Sequence, residues 1–254
     1  MHSDPISRSP LSAEAFAGNR LLAALPAQAL ALIEPSLQLR DIAPGEIVLT
    51  SGEPVKQTLF PCDGLMVSML VELTGARAVE VASIGKEGAI GGIISCGAAP
   101  AFTHAVAQTG GQALAMPMHA LELAKSASPD IKNLFCRYSD YLLSQVMQSV
   151  ACNAFHPIEA RTARWLLTAQ DRVGSERIPL TQEALAGLLG VQRTTVNAIA
   201  RAMQDQQLIS YRRGAIQIRS REGLLKASCE CYSAVEDHFA NVLGSGNVFG
   251  ETGC

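Results

Sequence analysis

Residues 180–209, LTQEALAGLLGVQRTTVNAIARAMQDQQLI, decide how the chain is read. Thr181 can cap a helix whose first turn carries Gln182 and Glu183, and Ala184, Leu185, Leu188 and Leu189 recur at the spacing of one buried face. Gly190 then stands where the chain must turn sharply, because glycine tolerates the left-handed conformation that follows many helix ends. Val191 fills the angle of the turn. A second helix starts near Gln192; it buries Val196, Ile199, Ala200 and Met203 and turns Gln192, Arg193, Thr194, Asn197 and Arg201 outward. Small residues in the first helix, glycine in the turn and a polar front on the second helix are the requirements of a helix-turn-helix, whose second helix enters the DNA major groove.

The residue types on that front suit the task. Arg193 can give two hydrogen bonds to guanine, and Asn197 can pair in the same bidentate way with adenine. Thr181, Gln182, Thr194 and Thr195 are natural donors to phosphate. The next stretch, LISYRRGAIQI at 208–218, reads as two short strands joined around Arg212-Arg213-Gly214, which places two more cations at a hairpin tip beside the helices. The bland alternative is a packed helical pair with an ordinary solvated face. Charge argues against it: the chain carries a net −3, yet residues 156–228 hold eleven Lys or Arg against six Asp or Glu. The positive field is confined to one segment, as a nucleic-acid contact requires.

Upstream the patterns change. Leu21, Leu22, Leu25, Leu30, Leu32 and Ile33 recur at helical spacing around Pro26, which predicts a short helical segment within residues 1–36. From 37 to 127 the sequence breaks into short β-rich runs, with turn signals at Pro44-Gly45, Gly52-Glu53-Pro54, Asp63-Gly64, Thr74-Gly75 and Gly110-Gly111. Turns about every ten residues indicate an antiparallel all-β sandwich, roll or barrel. Residues 130–155 hold no Gly or Pro and are entered through Ser128-Pro129, a cap followed by a first-turn proline. Ile131, Phe135, Tyr138, Leu142, Val146 and Val150 recur in steps of three or four along this long helix. Such a stripe lies on its own domain or on a second copy of the chain; a dimer seam over residues 128–156 is the expectation. The DNA-binding domain is placed at 157–231. The polar segment 232–254, glycine-rich after Leu243, is expected to fray.

Nearly half of the residues are apolar, enough for proper cores. No basic stretch followed by an apolar run opens the sequence, and no segment reaches the roughly 18 uncharged apolar residues of a membrane span, so a cytoplasmic protein without a membrane partner is expected. Seven cysteines stand without C-x-x-C spacing and read as reduced thiols. Cys152 and His156 lie four apart and Cys229 and Cys231 two apart, which leaves a metal or thiol sensor conceivable. The expectation is nonetheless no metal and no cofactor, since free cysteines are commonly buried. No P-loop, G-x-S-x-G or H-E-x-x-H motif is present, so catalysis is not expected.

With LTQEALAGLLGVQRTTV followed by LISYRRGAIQI, the C-terminal part resembles the winged helix-turn-helix of Crp/Fnr-type regulators. IAPGEIVLTSGEPVKQTLFPCDGLMVSML at 42–70 resembles the first half of that family's cyclic-nucleotide-type β-roll, and CNAFHPIEARTARWLL at 152–167 the connection from dimer helix to DNA-binding domain in one branch. The likeness runs from about residue 21 to 231. It implies an α+β chain of jelly-roll-like β-roll, long dimerisation helix and winged helix-turn-helix. It further implies a homodimeric transcription regulator with palindromic double-stranded DNA, a second copy of itself and RNA polymerase as partners.

The chain departs from the family at the effector. Cyclic-nucleotide-binding members hold the ligand with a Gly-Glu pair and an Arg followed by a hydroxyl residue, because a buried phosphate needs a guanidinium and a ribose hydroxyl needs a carboxylate. Here Gly91 is followed by Gly92, the Arg position falls near Ala101 or Phe102, and no Lys or Arg occurs between Lys86 and Lys125. A regulator independent of cyclic AMP is expected; one gated by a cyclic nucleotide or another small ligand in a non-standard pocket is the alternative. Lys86 and Glu87 read more readily as a solvated turn than as a ligand site, and His104 and His119 as core or edge residues. The oxygen-sensing cysteine cluster of Fnr-type members has no counterpart before Cys62. Thr194 and Ala198 replace the Glu and Arg with which many members read their half-site.

Overall fold

The computed structural model describes residues 16, 18–75, 77–93 and 99–244. Two short helices, α1 (Arg20–Ala23) and α2 (Ala27–Ile33), precede seven strands: β1 (Gln38–Ile42), β2 (Ile47–Leu49), β3 (Gln57–Pro61), β4 (Val67–Leu73), β5 (Arg77–Ile84), β6 (His104–Ala107) and β7 (Gly111–Pro117). They form two antiparallel sheets in the orders β1-β7-β3 and β2-β6-β4-β5. The expected roll is there. Ile42, Leu59, Leu65, Val67, Ala82 and Ile84 fill its interior from both sheets, the inward half of the period-two alternation that a strand imposes.

Helix α3 (Met118–Ala127) leads into α4 (Pro129–Phe155), capped by the Ser128 hydroxyl, which accepts from the Ile131 amide. The expected seam on α4 needs correction. Ile131, Phe135, Tyr138 and Leu142 are all buried within one chain, the first three against α1, α2 and β7 and Leu142 in the roll interior. Val146 is half-buried on the same side, and of the six only Val150 is exposed. That stripe is the helix's intramolecular face. The outward apolar residues are Leu143 (48 % exposed), Met147 (62 %) and Val150 (67 %), a neighbouring stripe at the same helical spacing.

Helix α5 (Ile158–Val173), strand β8 (Arg177–Ile178), α6 (Gln182–Leu189), α7 (Arg193–Asp205), β9 (Ile209–Arg212), β10 (Ala215–Ile218) and α8 (Arg221–Ala227) follow, with the strands ordered β8-β10-β9. Trp165, Leu166, Leu185, Leu188, Val196, Ile199, Met203, Ile216 and Leu224 share one core.

The C-terminal segment is not frayed as far as it is described. Residues Cys231–Leu243 form helix α9, which packs along α4, with the ring of Phe239 set edge-on against Tyr141 at 4.9 Å. Burial of Phe239 offsets the entropy of ordering the segment. The segment misleads because its partner helix is remote in sequence, so nothing local shows what covers its apolar face. The expectations for residues 1–15 and 245–254 lie outside the described residues. Among the described residues no helix is long and apolar enough to cross a membrane.

Candidate nucleic-acid interface

Helices α6 and α7 meet as the sequence predicts. The Thr181 hydroxyl accepts from the Ala184 amide at 3.1 Å, and Gly190 ends α6 with φ +68°. Gln192 precedes α7 in extended conformation. Leu185, Leu188, Leu189, Val196, Ile199, Ala200 and Met203 are buried. What remains outside is polar: Thr181, Gln192, Arg193, Thr194 and Arg201 are exposed, and Gln182, Thr195 and Asn197 are half-buried. The Arg193 side chain is 65 % exposed, with Glu183 at 3.5 Å; a pair so solvated holds it weakly. Asn197 departs from expectation in one detail, since its Oδ1 is shielded and has no hydrogen-bond partner.

The wing is pinned to these helices. The Tyr211 hydroxyl donates to the Leu180 carbonyl at 2.7 Å, and the Tyr211 amide donates to Gln204 Oε1 at 3.0 Å. Burial, partly countered by a backbone hydrogen bond, pushes the Tyr211 phenol above its ordinary range, so it stays a donor. Ala215 pairs with Arg212 across a two-residue loop, Arg213-Gly214, in which both φ are positive, a turn that follows the strand twist. Arg212 and Arg213 are thereby held in solvent at the tip. Arg177 and Arg219, which the sequence reading did not single out, are also exposed on this sheet. Conversely, three of the cations counted in the basic segment face inward or serve other partners. Arg172 is buried, Arg161 Nη2 donates to the Leu189 carbonyl at 3.0 Å, and Arg221 pairs with Asp171 at 2.8 Å.

Arg172 was invisible as a functional element in the sequence. Only 4 % of its side chain is exposed; Nε donates to Glu87 Oε1 at 3.0 Å and Nη2 to Gln145 Oε1 at 2.9 Å. One guanidinium thus joins α5, α4 and the turn after β5. Burial disfavours its charge, but Glu87 together with Tyr141, Glu236 and Glu80 outweighs burial and raises the pKa. Glu87 is therefore neither a ligand site nor part of a solvated turn; its carboxylate also accepts from the Gly85 amide. Beside it, Trp165 Nε1 donates to Glu80 Oε1 at 2.8 Å, and burial raises the Glu80 carboxyl above the usual range despite hydrogen bonds from Ser68 and Trp165. The helix-turn-helix leans on β5, where a Cβ at Gly190 would come within 3.4 Å of Val79.

The roll holds a cavity of about 410 Å³ that is open to solvent on one side, lined among others by Met69, Ile84, Ile90, Ala101 and Phe102, and from α4 by Leu142, Leu143 and Val146. Among the described residues no charged side chain lines it. At Gly92, φ is +66°, a conformation strained for the glutamate expected there in nucleotide-binding members, and a Cβ would sit 1.8 Å from Met118 Cε, so the end of that side chain would have to shift. His104 sits half-buried at a strand end, 3.3 Å from Glu72, and His119 is exposed.

The chain thus combines a β-roll, a long helix and a winged helix-turn-helix in that order. Residues 160–227 match the family model of the Crp-like helix-turn-helix domain. No curated protein sequence gives a significant match. Among solved structures, FixK2 from Bradyrhizobium japonicum is similar with a TM-score of 0.65 at 16 % identity, covering 76 % of this chain and 98 % of that one. The c-di-GMP responsive global regulator CLP from Xanthomonas campestris gives 0.62 at 15 %, covering 77 % and 100 %. A Crp/Fnr-family transcriptional regulator from Thermus thermophilus gives 0.62 at 16 %, covering 75 % and 98 %. At such identities the structural likeness establishes the fold. The chain has the Crp/Fnr regulator fold and carries a Crp-like helix-turn-helix DNA-binding domain.

Proposed function

We propose that the chain is a cytoplasmic, sequence-specific transcription regulator that binds palindromic double-stranded DNA as a homodimer and is not controlled by cyclic AMP. The observation that carries this reading is the polar, solvent-facing start of α7 beside the basic hairpin tip. Arg193 reads a base edge and Arg212 holds phosphate. Changing Arg193 to Ala is expected to cost about 1–3 kcal/mol on the cognate site, relax preference at one base pair per half-site and leave random DNA nearly unaffected. Changing Arg212 to Ala is expected to weaken cognate and random DNA alike and to flatten the salt dependence by roughly one counterion per subunit. Binding titrations on both DNAs at several salt concentrations check it; the reverse pattern would mean that α7 is not the helix in the major groove.

The uncharged lining of the roll cavity supports independence from cyclic AMP, whose phosphate would lie there without a counter-charge. A ligand at about a hundred times its dissociation constant stabilises the folded state by roughly 2.7 kcal/mol. Millimolar cyclic AMP is expected to leave the melting temperature unchanged, and a reproducible rise contradicts the reading. The cavity itself favours a second possibility for control. Its volume lies within the roughly 300–1,000 Å³ of small-molecule sites, and its lining fits an uncharged, largely apolar effector in contact with α4. The same melting assay with such compounds separates an effector-gated protein from one that responds to its own abundance.

A further inference from the structure

Cys152 lies in the last turn of α4, His156 caps that helix, and Cys229 and Cys231 flank the start of α9. The sequence led to the expectation of no metal here, because free cysteines are commonly buried. Folding brings all four ligand atoms within 4.8 Å of one another. Cys152 Sγ is 3.6 Å from Cys229 Sγ, and Cys231 Sγ is 3.4 Å from His156 Nδ1. A tetrahedral zinc ion, with bonds of about 2.3 Å to sulfur and 2.0–2.1 Å to nitrogen, sets its ligand atoms about 3.5–3.8 Å apart. The sulfur pair is well beyond the roughly 2.05 Å of a disulfide. A polynuclear iron–sulfur cluster, whose cysteines sit on different irons, needs its thiolates spread further.

Two further features point the same way. The thiols of Cys152, Cys229 and Cys231 form a small buried cluster of their own, with Ala160 as the partly buried hydrophobic packed against it. That leaves little hydrocarbon to reward burying three thiols together. The outer partners are also in place: His156 Nε2 faces Glu230 Oε1 at 3.2 Å, and Gln148 Nε2 donates to Cys231 Sγ at 3.0 Å. A carboxylate behind the free nitrogen of a ligating histidine fixes its tautomer and orientation, as in carboxylate–histidine–zinc arrangements.

We infer that Cys152, His156, Cys229 and Cys231 hold one zinc ion in a closed Cys3His site. The ion ties the end of α4 to the α8–α9 junction, across the connection that joins the long helix to the DNA-binding domain, and so sets the angle at which that domain is carried. Three thiolates and Zn²⁺ sum to a single negative charge, and Arg161 and Arg164 line the same cleft as Cys231. The site stands whether or not the reading of α7 is right.

The test is made on the full chain, expressed with zinc in the medium and purified anaerobically with reductant. Elemental analysis is expected to find about one zinc per chain. After metal removal, Co²⁺ added to the wild-type protein should give the intense visible absorption of a tetrahedral, thiolate-bound ion. Cys229→Ser and Cys231→Ser should lose stoichiometric zinc. His156→Cys should retain it and shift the cobalt spectrum toward four thiolates, which keeps the test valid if the serine variants fold poorly. Glu230→Ala should weaken zinc about 10–100-fold. Wild-type protein with neither zinc nor a tetrahedral cobalt spectrum overturns the inference. So does zinc undiminished in both serine variants, stoichiometric iron with acid-labile sulfide, or a Cys152–Cys229 disulfide in place of metal.

Discussion

Replacing Arg172 by Met is expected to lower unfolding stability by about 3–5 kcal/mol, because the Glu87 carboxylate is then left buried without its cation. The guanidinium meets Glu87 and Gln145 in a setting where almost none of it reaches water, so removing it strands two acceptors at once. A second effect is specific to this fold. Arg172 belongs to α5, Gln145 to α4 and Glu87 to the roll, and the variant loosens the packing of the DNA-binding domain on the rest of the chain. Replacing Glu87 by Leu together with Arg172 by Met should restore most of the loss, since no charge remains buried. Denaturant midpoints for the two single variants and the double variant check this. A single Arg172→Met variant within about 1 kcal/mol of wild type, below the cost of leaving such a charge unpaired, would mean that the domains do not stay docked in solution.

The paired replacement Leu143→Asp and Met147→Asp is expected to convert the proposed dimer to folded monomers. Both residues are largely exposed on α4, so in a single chain the new carboxylates stay hydrated and cost little. In a dimer they would be buried against the same residues of the second copy. At several kcal/mol for each buried, unpaired charge, dimer affinity should fall by at least roughly a thousandfold. Binding to a two-half-site DNA should fall with it. The neighbouring replacement Leu142→Asp should behave differently, because Leu142 fills the roll interior; it should unfold the chain and not merely separate two copies. Light scattering and circular dichroism on the two proteins distinguish these outcomes, and a Leu143/Met147 variant that remains dimeric at micromolar concentration places the interface elsewhere.

The helix-turn-helix was the most legible part of the chain. Thr181, Gly190 and the apolar spacing of Ala184 through Met203 are local signals, each acting within a turn or two of itself, and the helices follow them. The roll was legible as a class through its turns, although strand partners such as β7 with β1 and β3 join residues too distant for any local pattern to specify. On α4 the apolar stripe read from Ile131 to Val150 was expected at a dimer seam, but most of it is buried within one chain. Periodicity reports that a face is apolar; it does not report what covers that face.

The residue pattern alone thus determined helix ends, the basic hairpin, the turn-punctuated strands of the roll and the absence of Lys or Arg between Lys86 and Lys125, because each depends on backbone preference or on residue type at one place. Tertiary structure alone decided which stripe of α4 was free, that the segment after Cys231 folds back as a helix, that Arg172 is an internal tie instead of a DNA contact, and that four dispersed metal-binding side chains share one point. These depend on which surfaces meet after collapse, and contacts between residues 80 positions apart are selected by the packing of the whole chain, not by the sequence on either side of them.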